Sequence, residues 1–241
     1  MSTPSAEPPL LLGIETSTFA LSVAIARGDS VLVERCSVVQ AHGPDLLAEI
    51  ERALSSAGMV LGDLDGFACG LGPGLFTGLR VGLATAKGFA YALGRPFLGV
   101  PSLEAMALRA LPHSDGRLVA PLMDARRKEV YAAVFDGDLT RVLGERARTP
   151  ETLAAELGEL GRPVVACGHG ALLYRDRLGV AVLADEDLLF PHAREVTRLA
   201  ARRFDQAVRG PALAPVAPLY IRPSDAELNP KFREPPPGGK T

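Results

Sequence analysis

The sequence predicts an α/β protein made of two halves with mixed sheets, and three observations carry that prediction. Short apolar runs (LLLGI at 10–14, ALSVAIA at 20–26, VYAAVF at 130–135) alternate with stretches of helical period, the pattern of strands and helices packed in layers. At an offset of 109 residues the chain repeats its own opening: Glu15 falls on Asp124, Val23-Ala24 on Ala132-Ala133, and Gly28-Asp29 on Gly137-Asp138. At an offset of 98, Ala68-Cys69-Gly70-Leu71-Gly72 falls on Ala166-Cys167-Gly168-His169-Gly170. Strand order and hairpin order agree between the copies. The expectation is an internal duplication, each half opening with a meander and an acidic residue at its first turn.

Taken in order, 10–14 reads as a buried strand, 15–18 as a tight turn and 20–26 as the returning strand. Gly28-Asp29 then turns the chain into a third strand over 31–36. Leu46, Leu47, Ile50 and Leu54 recur at helical spacing over 44–57, and Gly58 is a stop signal. A strand over 65–71 runs into a Gly-rich loop at 70–78, then a helix from about 79 to 93 ended by Gly94 and Pro96. A strand at 97–100 follows, and Ser102 is expected to cap a helix reaching 111. The second half opens with a strand at 118–123 ending on Asp124, and 130–135 returns to the Gly137-Asp138 turn. The domain expectation is a first half over 10–111, a second over 117–190 and, over 191–209, a long helix from about 192 to 208. A segment over 210–241, holding eight of the 20 prolines, is expected to be extended and frayed beyond Asn229.

Composition narrows the function. A chain of 241 residues with 47% hydrophobic content is globular, not a disordered tail. Its 26 basic and 28 acidic residues give a net charge of −2, which argues against a protein that grips nucleic acid mainly by counterion release. No apolar run has the length of a membrane span, and 1–9 lacks the basic start of a signal peptide, so a cytoplasmic location is expected. Cys36, Cys69 and Cys167 stand far apart without a C-x-x-C pair and read as buried free thiols of a reducing compartment.

Two motifs bear on chemistry. Gly70-Leu71-Gly72-Pro73-Gly74 with Gly78 is neither a Walker loop nor G-x-G-x-x-G. It is either a turn that lets a helix pack tightly or a loop whose amides meet phosphate. The paired acidic turns, Glu15-Thr16-Ser17-Thr18 and Asp124 through Glu129, are either solvated hairpin tips or a cleft. In a cleft their carboxylates would hold hydrated magnesium, and the hairpin amides and hydroxyls would hold phosphate. Arg126, Arg127 and Lys128 could instead meet phosphate directly. The candidate nucleotide-binding residues are therefore Glu15, Thr16, Ser17, Gly72, Gly74, Asp124, Arg126, Gly168 and Gly170. His42, His113, His169 and His192 show no paired-His or H-E-x-x-H spacing, and G-x-S-x-G is absent. No catalytic residue and no metal ligand is therefore assigned.

The segments LLLGIETSTFALSVAIARG, AHGPDLLAEIERALSSAG, GLGPGLFTGLRVGLATAKGFAYALGRPFLGVPSLEAMA and APLMDARRKEVYAAVF, with PLYIRPSDAE near the C-terminus, resemble the bacterial TsaB (YeaZ) family over roughly 10–228. The resemblance implies a duplicated RNase-H-like, actin-like ATPase fold. It also implies a role in transferring threonylcarbamoyl to N6 of adenosine 37, just 3′ of the anticodon, in tRNAs reading ANN codons. The catalytic relative, TsaD, carries a paired-His metal motif whose spacing falls here on Ser102 and Met106, so the resemblance implies a non-catalytic subunit without that metal site. It implies TsaD and the ATPase TsaE as partners, with tRNA met only within the complex. An apolar patch on the helices that pair with TsaD would also support a homodimer when that partner is missing. ATP or ADP with magnesium is not required, and would bind weakly or only in the complex. The family's pairing helices map to 44–57 and 79–93. The expected interface residues are Leu46, Leu47, Ile50, Leu54, Phe76, Thr77, Leu79, Arg80, Gly82, Leu83 and Ala86. The competing reading is a stand-alone ATPase or phosphotransferase working in the cleft.

Overall fold

In the computed structural model, residues 7–38 and 42–222 are described. The first half holds β1 (Leu10–Glu15), β2 (Ala20–Arg27), β3 (Ser30–Val38), α1 (His42–Ala57), β4 (Gly66–Gly70), α2 (Phe76–Ala92), β5 (Phe97–Val100) and α3 (Ser102–Ala110). Its sheet runs β3-β2-β1-β4-β5, with β1 antiparallel to β2 and parallel to β4. The second half holds β6 (Leu118–Asp124), β7 (Val130–Phe135), β8 (Arg141–Arg148), α4 (Pro150–Glu159), β9 (Val164–Cys167), α5 (His169–Leu173), α6 (Arg175–Leu178), β10 (Ala181–Val182) and α7 (Ala193–Arg202). Its sheet runs β10-β9-β6-β7-β8, the same order with the same parallel and antiparallel pairs. The duplication expected from the two offsets is therefore a repeated topology. Glu15 and Asp124 each end the first strand of a sheet.

The layers follow from which strand faces are apolar. Leu10, Leu12, Ile14, Val23 and Phe67 turn to α1 and α2, while Leu11, Ala68, Leu98 and Val100 turn to α7. In the second sheet Leu118, Ala120 and Leu122 meet α4 and α5, while Val119, Met123 and Phe135 meet α3. The middle layer is thus crossed: α3 closes the first half in sequence but packs on the second sheet, and α7 follows the second half but packs on the first. Gly13 lets α7 approach, since a Cβ there would stand 2.7 Å from the Ala193 carbonyl oxygen and closer still to Thr197.

Several boundaries differ from expectation. The second helix begins at Phe76, three residues before 79, because the Leu79 amide already bonds back to the Leu75 carbonyl at 3.0 Å. Ser102 does not cap α3. Pro101 holds the N-cap position without a side-chain bond, and the Ser102 hydroxyl turns inward. The last helix stops at Arg202 instead of reaching 208. After a short 3-10 turn the chain becomes extended, and Val208 exchanges two 2.9 Å backbone bonds with Phe97 at the edge of β5. The expectations for 1–6 and for the tail beyond Arg222 lie outside the described residues. No helix among the described residues is long and apolar enough to cross a membrane.

Candidate functional site

The two acidic turns meet different fates. Glu15 is fully buried. Its Oε1 accepts the Ser17 amide at 2.7 Å and its Oε2 accepts the Ser102 hydroxyl at 2.7 Å. The same hydroxyl accepts the Gly72 amide at 3.1 Å, so one serine ties the turn, the Gly-rich loop and α3 together. The carboxylate lies over Gly70, where any Cβ would overlap it. Burial raises the Glu15 pKa above its usual 4.5, and the hydrogen bonds from Ser17 and Ser102 offset only part of that rise. Thr16 is also buried, with its hydroxyl donating to the Gly78 carbonyl at 2.8 Å across the space left by Gly82.

Asp124 stays accessible, its side chain 26% exposed, and accepts the Arg126 amide at 2.9 Å. The tip beyond it is a run of left-handed residues, Arg126, Arg127 and Lys128, at φ 60°, 53° and 62°. Non-glycine residues hold this conformation only where the surroundings fix it. Here Ala125 and Glu129 pair by a 2.9 Å backbone bond, while Arg222 donates to the Ala125 carbonyl at 2.9 Å and pairs with Glu129.

Between the halves lies a cleft of about 180 Å³ lined by Ser17, Gly74, Asp124, Arg126, His169 and Phe190 among others. The His169 ring stacks on Phe190 at 5.7 Å between centroids. Of the nine candidate nucleotide residues, Ser17, Gly74, Asp124 and Arg126 reach this cleft. Glu15, Thr16 and Gly72 are spent on internal hydrogen bonds and close packing. Gly168 and Gly170 pack on the backbone of Leu122 and Met123. A magnesium ion held between facing carboxylates does not fit, because both Glu15 oxygens are already engaged and sealed from the cleft.

The interface candidates divide as sharply. Leu46, Ile50, Leu54, Leu79, Leu83 and Ala86 are buried in the chain's own core, and Gly82 faces Thr16. Leu47, 56% exposed, Thr77 and Arg80 stay outside, and Phe76 is half-buried. Leu47, Val60 and Phe89 line an open apolar groove of about 590 Å³ between α1 and α2, and Tyr91, 71% exposed, stands beyond it on α2. At the other end of α2 the Arg80 guanidinium sits 3.7 Å over the Phe76 ring and donates to the Tyr220 hydroxyl at 2.9 Å. The chain leading to Arg222 is fastened along α2, with Lys87 donating to the Val216 carbonyl at 3.0 Å and the Leu219 amide to the Leu71 carbonyl at 2.7 Å. Sequence reasoning missed Val60, Tyr91 and Tyr220 and gave Ser102 the role of a cap, because their places depend on contacts across the fold.

The cysteines also divide. Cys69 and Cys167 are buried, and burial pushes the Cys167 thiol up to about 12 and that of Cys69 well above its usual value. Cys36 is exposed, which corrects the expectation that all three are buried. The residue sits on β3, which among the described residues is the edge of the sheet and pairs with β2 alone.

Two sheets of one order in series, with a cleft between them and an acidic residue ending the first strand of each, define the actin-like ATPase fold. A family model described as TsaD, tRNA N6-adenosine threonylcarbamoyltransferase, matches residues 37–169. The chain is 30% identical over 229 residues to the tRNA threonylcarbamoyladenosine biosynthesis protein TsaB of Bacillus subtilis, covering 90% of this chain and 96% of that one. It is likewise 30% identical over 218 residues to TsaB of Escherichia coli, covering 88% and 94%. The solved structure of YeaZ from Pseudomonas aeruginosa superposes with a TM-score of 0.76 at 31% identity, covering 88% of this chain and 99% of that one. The chain belongs to the TsaB (YeaZ) family of tRNA threonylcarbamoyladenosine biosynthesis proteins.

Proposed function

We propose that this chain is the non-catalytic partner subunit of the threonylcarbamoyl transfer complex. It docks a TsaD-like catalytic subunit, the TsaE-like ATPase joins that pair, and tRNA meets the chain only within the assembly. The observation that carries this reading is the apolar groove between α1 and α2, where Leu47 and Val60 are 56% and 65% exposed beside a well-packed core. Contiguous exposed apolar surface marks an interaction site. The sealed Glu15 carboxylate supports the same reading, since it withdraws one of the two acids that a nucleotide-hydrolysing cleft would use.

The test is co-purification with the TsaD counterpart, comparing wild type with Leu47→Glu and Leu46→Glu. Leu47→Glu places a charge on an exposed position. It is expected to fold normally, weaken the complex at least about tenfold and lower threonylcarbamoyladenosine in tRNA. Leu46→Glu buries an unpaired charge in the core and is expected to unfold the chain, which makes it the folding control. Undiminished complex formation by folded Leu47→Glu removes the groove from the interface. Appreciable ATP turnover by the isolated wild type overturns the non-catalytic assignment.

A further inference from the structure

Glu34 and Cys36 are alternate residues of β3 and share one face of the strand, the face that meets the start of α7. The segment leading into α7 sets His192 over them as its N-cap residue, with no side-chain capping bond to hold the ring elsewhere. His192 Nδ1 stands 3.2 Å from Glu34 Oε1 and 3.4 Å from Cys36 Sγ. The three ligand atoms all lie within 4.8 Å of one another. Residues 156 apart in sequence thus present a thiol, an imidazole and a carboxylate to a single point.

The surroundings hold these groups in place. Ser22 accepts a hydrogen bond from the Cys36 thiol at 3.4 Å and another from the Ala193 amide at 3.0 Å, so the strand and the start of α7 share one hydroxyl. The second oxygen of Glu34 faces Arg194 at 3.5 Å, which leaves the first directed at His192. Outer partners that orient ligands in this way are what a metal centre requires.

We infer that Glu34, Cys36 and His192 form a zinc-binding site that fastens the edge strand β3 to α7. Thiolate, imidazole and carboxylate make a borderline-soft donor set suited to zinc and poorly suited to magnesium or calcium. In a tetrahedral zinc shell with bonds of about 2.0–2.3 Å, neighbouring ligand atoms stand about 3.3–3.8 Å apart. The separations of 3.2 and 3.4 Å already approximate two edges of that tetrahedron. Cys36 is exposed, so an ion can enter from solvent and keep water as its fourth ligand. On binding, the proton of the Cys36 thiol and any proton on Nδ1 are released to solvent, leaving thiolate and neutral imidazole as donors. The site runs against the sequence expectation of no metal ligand, which rested on local spacing that this arrangement does not use.

The test uses the full chain free of any affinity tag. Zinc is titrated against a chromophoric chelator, and Co²⁺ serves as a spectroscopic probe. The expected result is one zinc per chain, a thiolate-to-cobalt charge-transfer band, and affinity weakened at least about tenfold by Cys36→Ser and by His192→Gln. Zinc raises the melting temperature of wild type and not of these variants. Melting without metal shows that each variant folds like wild type. Absence of stoichiometric zinc binding, binding undiminished in both variants, or a cobalt complex without the thiolate band overturns the site.

Discussion

Glu15 and Asp124 end the first strands of two sheets with the same strand order, and an offset of 109 residues places one on the other. Glu15 is nevertheless sealed inside the protein, while Asp124 remains in contact with the cleft. The cause lies one strand away. Beside Glu15, Gly70 has no side chain, and the carboxylate fills the space its Cβ would need. At the matching position in the second half, the space beside Gly168 is taken by Met106, reaching over from α3, and by the Leu122 carbonyl. Asp124, one methylene shorter, turns outward to the Arg126 amide at 2.9 Å instead. A duplicated backbone thus keeps acidic residues in equivalent places while packing assigns them different work. Matching residue types between repeats is evidence about topology, and weaker evidence about chemistry.

The comparison is tested most severely at Ser102. Ser102→Ala removes the donor to Glu15 Oε2 and the acceptor of the Gly72 amide, leaving two buried polar groups short of a partner. Losses of that kind cost about 2 kcal/mol. Urea unfolding is expected to show that decrease with an unchanged slope. A change below about 0.5 kcal/mol would mean that water or a rearranged Glu15 replaces the hydroxyl, and that the first turn is no more sealed than the second.

Much of this fold was legible in the sequence because glycines and apolar periods punctuate it. The strands 10–14, 20–26, 97–100 and 130–135 fall within observed strands, and both offsets mark true topological repeats. Arg141–Arg148, by contrast, is a largely exposed edge strand rich in charged residues (Arg141, Glu145, Arg146, Arg148), and it carries little apolar signal. The site was less legible than the fold. On α1, Leu46 and Leu47 are adjacent leucines of equal hydrophobicity, and only the position of the sheet decides that one is core and the other surface. Ser102 looked like a cap because it precedes a helical stretch. Its actual partner, Glu15, is 87 residues away, and no local pattern encodes such a contact.

A second, more moderate effect is pH-dependent. The Glu15 pKa is raised above 4.5 by burial, so the folded chain keeps this proton at a pH where the unfolded chain has lost it. More protons bound to the folded state means that stability decreases as pH rises. The contribution is complete below 4.5 and is lost as pH climbs through the folded-state value. Glu195, raised by burial as well, adds a change of the same sign. Glu15→Gln has no proton to lose, so its stability, followed by urea midpoints between pH 4.5 and about 8, is expected to decline less steeply than that of wild type. Parallel curves would show that Glu15 titrates as an ordinary exposed carboxylate, and the contrast between the two turns would collapse.

The smallest effect is expected at Asp124→Asn. The Asp124 side chain is 26% exposed, and its contact with the Arg126 guanidinium, at 3.9 Å, is long and solvated. Ion pairs of that kind contribute little. The bond that shapes the turn is the one from the Arg126 amide, and an asparagine carbonyl accepts it as well as a carboxylate does. Stability is therefore expected to stay within about 0.5 kcal/mol of wild type in urea unfolding at neutral pH. A loss matching that of Ser102→Ala would place Asp124 in the framework on the same footing as Glu15, and the two halves would then be equivalent in chemistry as well as in topology.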